Sequence, residues 1–206
     1  MKKTVLSIVM AAVATVAAAQ VSFGFKAGVN VAKESPMVTK ADGLPIAESI
    51  SFKTGFHAGV LMNVKLTSML ELEPSLMYSL QGYYGIIESV GEEQIIHKPN
   101  YHVNSHYLNV PVALKLFLNR GLYLEAGPQV GYLLKKKDKF DDFDNENSFT
   151  SDNTKKLDFS LFGGLGYRFN EGIFIEARYA HGLTGTSKLF RGGKNRNIQI
   201  SLGYSF

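Results

Sequence analysis

The chain has 206 residues, no cysteine and a formal net charge of +4, with charged residues at 19% of the total. That length suits one domain. The missing cysteine excludes a disulfide framework, thiolate chemistry and a lipoprotein anchor. No basic cluster makes the modest positive charge a nucleic-acid surface, so no nucleic acid is expected as a partner.

The first stretch, MKKTVLSIVMAAVATVAAAQ, reads as a separate object. Lys2 and Lys3 precede an apolar run from Val5 to Val16, and three alanines, Ala17 to Ala19, follow it. That order predicts a secretory signal peptide at 1–19 and a mature domain at 20–206. The apolar run is short for a membrane-spanning helix, which needs about 20 residues. Removing the two lysines lowers the formal charge from +4 to +2. No other segment could be a spanning helix, so the exported domain is either soluble or a membrane β-barrel.

Eight segments then alternate in polarity. Their apolar positions are Phe23, Phe25, Ala27, Val29 and Val31; Phe56, Ala58, Val60, Met62 and Val64; Leu70, Leu72, Leu76, Tyr78 and Leu80; and Leu108, Val110, Val112, Leu114 and Leu116. The series continues with Leu122, Leu124, Ala126, Val130 and Tyr132; Leu157, Phe159, Leu161, Leu165, Tyr167 and Phe169; Ile173, Ile175, Ala177 and Tyr179; and Ile198, Ile200, Leu202, Tyr204 and Phe206. A period of two is the signature of strands with one apolar face. The connections alternate too. Long ones at 32–50, 83–102, 135–154 and 184–194 are separated by the short KLTSM, LNRG and NEG. Short turns at one end and long loops at the other predict an all-β fold, an eight-stranded antiparallel transmembrane β-barrel with four mobile external loops.

A soluble lipocalin-like barrel would also alternate, with its apolar face inward. Glycine placement decides between the two. Gly24, Gly28, Gly59, Gly127, Gly131, Gly164, Gly166 and Gly203 all share the polar parity. Eight strands enclose a lumen that side chains fill, so small residues are wanted on the inner face and serve no purpose on a solvated exterior. The polar face is therefore assigned to the lumen.

That face also carries charges of both signs: Lys26, Lys115, Arg168 and Arg178 against Glu71, Glu73, Glu125, Asp158 and Glu176. A narrow lumen tolerates them only as a mixed, hydrogen-bonded network. These nine residues are expected to form a structural interior network, with Tyr107, Asn109, Tyr123 and Gln129 adding bulk and His57 joining it. A continuous solute pore is not expected. Phe23, Phe25, Tyr167, Phe169, Tyr204 and Phe206 fall near the short turns, and Tyr78, Tyr132 and Tyr179 toward the loops, as two interfacial girdles would. Pro74, Pro111 and Pro128 lie inside strands, where local bulges are expected.

The closing QISLGYSF resembles the C-terminal signal read by the barrel assembly machinery, with Gln199, Tyr204 and Phe206 in matching places. Ser201 stands where that pattern has glycine. The motifs FGFKAGVNVA, TGFHAGV, LEPSLMYSLQG and YLNVPVALK resemble the porin-like, PorT-type outer membrane barrel family of Bacteroidetes over nearly all of 20–206. The resemblance implies an integral outer membrane location. For one branch it implies an accessory role in secretion.

Motifs for chemistry are sparse. His97, His102 and His106 could approach a transition metal, but no carboxylate or cysteine completes a ligand set. Asp142, Asp144 and Glu146 alternate as calcium ligands do, without the glycine and distal glutamate of a binding loop. No metal, cofactor or catalytic residue is assigned. Lys135, Lys136 and Lys137 fall at the outer rim, within reach of lipopolysaccharide phosphates. His181 falls on the lipid parity with no matching outward serine and acid, so an acyl-transfer site is not expected. The sequence reads as a non-enzymatic scaffold in outer membrane lipid, with loops for an envelope protein partner. A secretion-accessory barrel, a lipid-modifying enzyme and a small pore are the alternatives.

Overall fold

The computed structural model describes the backbone of residues 20–34, 39–41, 44–90, 95–140, 155–185 and 194–206, and side chains within 20–34, 51–85, 102–137, 155–185 and 194–206. The expected signal peptide and the acidic positions Asp142, Asp144 and Glu146 lie outside the described residues.

The strands are β1 (Val21–Glu34), β2 (Thr39–Ala41), β3 (Leu44–Lys65), β4 (Leu70–Val90), β5 (Ile95–Phe117), β6 (Leu122–Phe140), β7 (Leu157–Arg168), β8 (Ile173–Gly185) and β9 (Lys194–Ser205). Every sequential pair from β3 to β9 is antiparallel. β1 closes the cylinder by pairing with β9 on one side and β3 on the other. β2 pairs only with the start of β3 and lies outside the ring. The barrel therefore has eight strands and no free edge.

The short turns are built by local chemistry. The Thr67 Oγ1 accepts from the amides of Met69 and Leu70. Asn119 Oδ1 accepts from those of Gly121 and Leu122. Gly172 takes a φ of 83°, which its missing Cβ allows. At the seam, Ser205 N–H donates to Gly172 O and Phe206 N–H to Phe23 O, so both neighbours hold the last strand.

Two expectations need correction. The stretch 83–102 is not a long loop. β4 and β5 continue as a ribbon until Val90 meets Ile95; β3 follows β4 out to Ala47 opposite Glu88, so 44–50 is strand rather than loop as well, and β6 follows β5 out to Phe140 opposite Tyr101. Past the membrane neither face must be apolar, so alternation fades. Yet Tyr83, Tyr84, Ile86, Ile95, Ile96 and Tyr101 keep strand propensity.

The prolines also do not bulge. Pairing stops after Pro74↔Val112 and resumes at Met77↔Asn109 in the same register. It stops again after Pro111↔Gln129 and resumes at Leu114↔Ala126, while Pro128 stays opposite Leu161. Proline removes a ladder bond without inserting a residue. The real register shifts sit in the outer half, at Phe52/His57, Ile86/Glu88, His106/Tyr107 and His181/Gly185.

Burial is inverted relative to a soluble protein. Leu202 is 61% exposed and Phe206 69%, whereas Lys115 and Glu73 are fully buried. Exposed leucine, valine and isoleucine ring the outside on the predicted parity, and the polar parity lines the lumen. A continuous apolar exterior of this kind requires lipid as its solvent. The inner girdle is in place, with Tyr167 and Phe169 ring centroids 5.0 Å apart and Phe25 6.2 Å from Tyr204.

Candidate functional site

Eight of the nine predicted interior charges meet in the lumen. Glu73 sits at the centre: Lys26 Nζ donates to it at 2.8 Å, Lys115 also contacts it, and Ser75 Oγ donates at 3.3 Å. Lys26 also donates to Glu176 at 2.7 Å, and Tyr123 O–H donates to the other Glu176 oxygen at 3.3 Å. Arg178 makes a two-pronged bond to Glu125, both arms at 2.9 Å, and lies 3.5 Å from Glu176. Nearer the short turns, Arg168 forks onto Glu71 at 2.9 and 2.6 Å.

Four cations thus face four carboxylates. Low local dielectric makes each contact strong, and burying these ions is tolerable only because every charge has a partner. Asp158 does not belong to the network. It lies at the other end of β7 from Arg168, where it accepts from Thr184 at 2.8 Å and Asn195 at 3.0 Å. Parity assigned it to the correct face, and its height along the strand separates it from the rest.

Aromatic rings complete the cluster. Lys115 Nζ lies 4.5 Å from the centre of the Tyr123 ring and 5.1 Å from that of Phe174. Phe162 covers Arg178 at 4.2 Å, and Phe117 covers Arg168 at 5.0 Å. Such faces attract cations where water is excluded. The inward Phe162 and Phe174 were missed from sequence because they sit among apolar neighbours; their parity alone marks them. Glycine makes room for the rings. A Cβ on Gly203 would run into the Phe174 ring, and one on Gly166 into Tyr123.

His57 is inward as expected, with Nε2 2.9 Å from Ser201 Oγ. Tyr107, Asn109, Tyr123 and Gln129 are all buried. Between these groups a cavity of about 10 Å³ remains, bordered by Lys26, His57, Met77 and Arg178. That is room for about one water molecule. Toward the outside, the buried Ser105 Oγ and both ends of the Asn197 amide have no hydrogen-bond partner among the described residues.

The outer rim sorts its charges by face. Glu34 and Asp158 point inward and are buried. Lys33, Lys135, Arg196, His106 and His181 point outward where the apolar rows end. Lys136 turns inward, 3.7 Å from Glu34, so the predicted run of three lysines is divided between faces. His102 and His106 lie on β5, and the His106 Nδ1 is 2.5 Å from the Tyr78 hydroxyl. The His97 side chain lies outside the described residues. Among the described residues no group of three or more histidines, cysteines or carboxylates could hold a metal.

The family model for the outer membrane protein beta-barrel domain matches residues 16–188. The chain belongs to that family. It is an integral protein of the outer membrane. Among curated proteins, none matches the chain in sequence. One solved structure supports the fold, and two more resemble the chain less closely. Neisserial surface protein A is similar at 10% identity with a TM-score of 0.53, covering 91% of this chain and 99% of its own. Ail, the attachment invasion locus protein of Yersinia pestis, is 15% identical with a TM-score of 0.49, covering 91% and 99%. OprG of Pseudomonas aeruginosa is 12% identical with a TM-score of 0.47, covering 90% and 95%.

Proposed function

We propose that this barrel is a non-enzymatic scaffold whose lumen is closed to solutes and whose activity resides in the parts that stand outside the membrane. The observation that carries the reading is the neutral cluster of Lys26, Glu73, Lys115, Glu125, Glu176 and Arg178, with only about 10 Å³ left beside it. Ions bound this tightly to one another do not form a path for others. The β4–β5 ribbon and the neighbouring connections then offer a rigid platform to an envelope protein or an external surface. Planar-bilayer recordings test the closed lumen. The expected result is no stepwise conductance, and reproducible steps would reassign the protein as a small pore.

Further parts of the reading rest on resemblance. Gln199, Tyr204 and Phe206 are proposed as the signal for the barrel assembly machinery; the two aromatic side chains face lipid, where an assembling partner can reach them. PorT-type membership and a role in secretion rest on the strand motifs. They predict that deletion traps secreted proteins in the periplasm, and normal export would dismiss them. A lipid-modifying role has less support. Around His181 the contact among the described residues is the Tyr179 hydroxyl at 3.4 Å, and no hydrogen bond joins it to a described serine, threonine or carboxylate. An unchanged lipid A profile in His181→Ala is expected.

A further inference from the structure

Lys33 on β1 and Arg196 on β9 are direct cross-strand partners. Arg196 is in turn the partner of His181 on β8. All three lie on the lipid-facing parity. Below them the outward rows are wholly apolar or aromatic: Phe23, Phe25, Ala27, Val29 and Val31 on β1, and Tyr204, Leu202, Ile200 and Ile198 on β9. Lys33 follows Phe23 by ten positions, and Arg196 precedes Phe206 by ten. At about 3.3 Å per residue and a tilt near 40°, ten positions rise about 25 Å, the height of the apolar band of such barrels. The three basic side chains therefore stand at the level of the outer-leaflet headgroups.

Two cations placed opposite each other across a ladder repel. In the lumen every buried cation is answered by a carboxylate. Here, among the described residues, neither Lys33 nor Arg196 has one within ion-pair distance. The adjacent acids, Glu34 and Asp158, are turned into the lumen and bound to Lys136 and to Thr184 and Asn195. Lys33 Nζ rests 4.3 Å from the centre of the Phe52 ring, which holds its ammonium at the barrel surface. Anionic headgroups at this level of the membrane can supply the counter-charge.

We propose that Lys33, Arg196 and His181 bind the phosphomonoester headgroup of an outer-leaflet lipid. A phosphomonoester carries about −1.5 to −2 charges near neutrality and three acceptor oxygens. Arg196 supplies a forked donor, Lys33 a point charge and His181 a ring nitrogen, all at one height. The acyl chains lie along the apolar rows beneath. This deepens the proposed scaffold reading by naming a lipid for its outer side, and its test does not depend on conductance.

The test is native mass spectrometry of the detergent-purified full chain titrated with phosphatidic acid, and with phosphatidylcholine as control. Folding of every variant is checked by the shift in gel mobility on boiling. The expected result is retention of phosphatidic acid over phosphatidylcholine, weakened about tenfold or more by Lys33→Gln with Arg196→Gln. The single variants should fall between, and Lys135→Gln with Lys137→Gln should change little. Equal weakening by the Lys135 and Lys137 pair would mean a diffuse rim charge and overturn the site. Unchanged retention in the Lys33 and Arg196 pair would overturn it as well. Inorganic phosphate should compete only at much higher concentration than phosphatidic acid, and equal potency would overturn the lipid assignment.

Discussion

The middle of the lumen and the outer rim use the same residue types under opposite rules. In the lumen, Lys26, Lys115, Arg168 and Arg178 meet Glu71, Glu73, Glu125 and Glu176, and aromatic rings seal what the carboxylates leave open. At the rim, Lys33, Lys135 and Arg196 face outward while the described acids there, Glu34 and Asp158, face in. Charge that is answered from within serves the wall. Charge left unanswered at a headgroup boundary is available to something outside the chain. Burial on paired strands separates the two cases: Lys26 on β1 is 2% exposed and Arg196 on β9 lies open.

Breaking the lumen should cost most. Glu73→Ala leaves two lysines buried without their central partner, and about 3–5 kcal/mol of stability should go. The readout is the urea midpoint of the heat-modifiable, folded band. Adding Lys115→Met to Glu73→Ala should recover part of that loss, because charges in one network are not additive. A purely additive result would mean that the contacts act independently.

Filling the space kept for an aromatic ring should cost less. Gly203→Val drives a side chain into Phe174, and overpacking of this kind costs about 1–3 kcal/mol. Phe174→Leu in the same chain should relieve it, measured by the same denaturation. Asp158→Asn should cost less again, since its partners Thr184 and Asn195 are neutral and an amide oxygen still accepts. A loss as large as that of Glu73→Ala would return Asp158 to the central network. At the rim, Lys33→Gln with Arg196→Gln should lie within about 0.5 kcal/mol of the parent in neutral detergent.

Most of the wall was legible because a period of two writes each face into the sequence. The glycines on the polar parity and the mixed charges beside them gave the correct inside and outside. What parity cannot give is height and register. It placed Asp158 on the lumen face but could not say that it stands a strand's length from Arg168. It could not show that Lys33 and Arg196, at opposite ends of the chain, are neighbours. The ribbon at 83–102 was hidden because strands outside the membrane need no apolar face. The prolines misled because a lost ladder bond and an inserted residue look the same in one dimension. Phe162 and Phe174 were hidden for another reason: an inward aromatic among leucines or isoleucines does not disturb the apolar count.

The central claim is that lysines of this barrel divide into a sealed set and an open set. Amine-reactive labelling of the full chain in lipid nanodiscs, mapped by mass spectrometry, tests it most directly. The account predicts that Lys33 and Lys135 are modified while Lys26 and Lys115 stay unmodified until the barrel is boiled. Modification of Lys26 or Lys115 in the folded barrel, at a rate near that of the rim lysines, would contradict it.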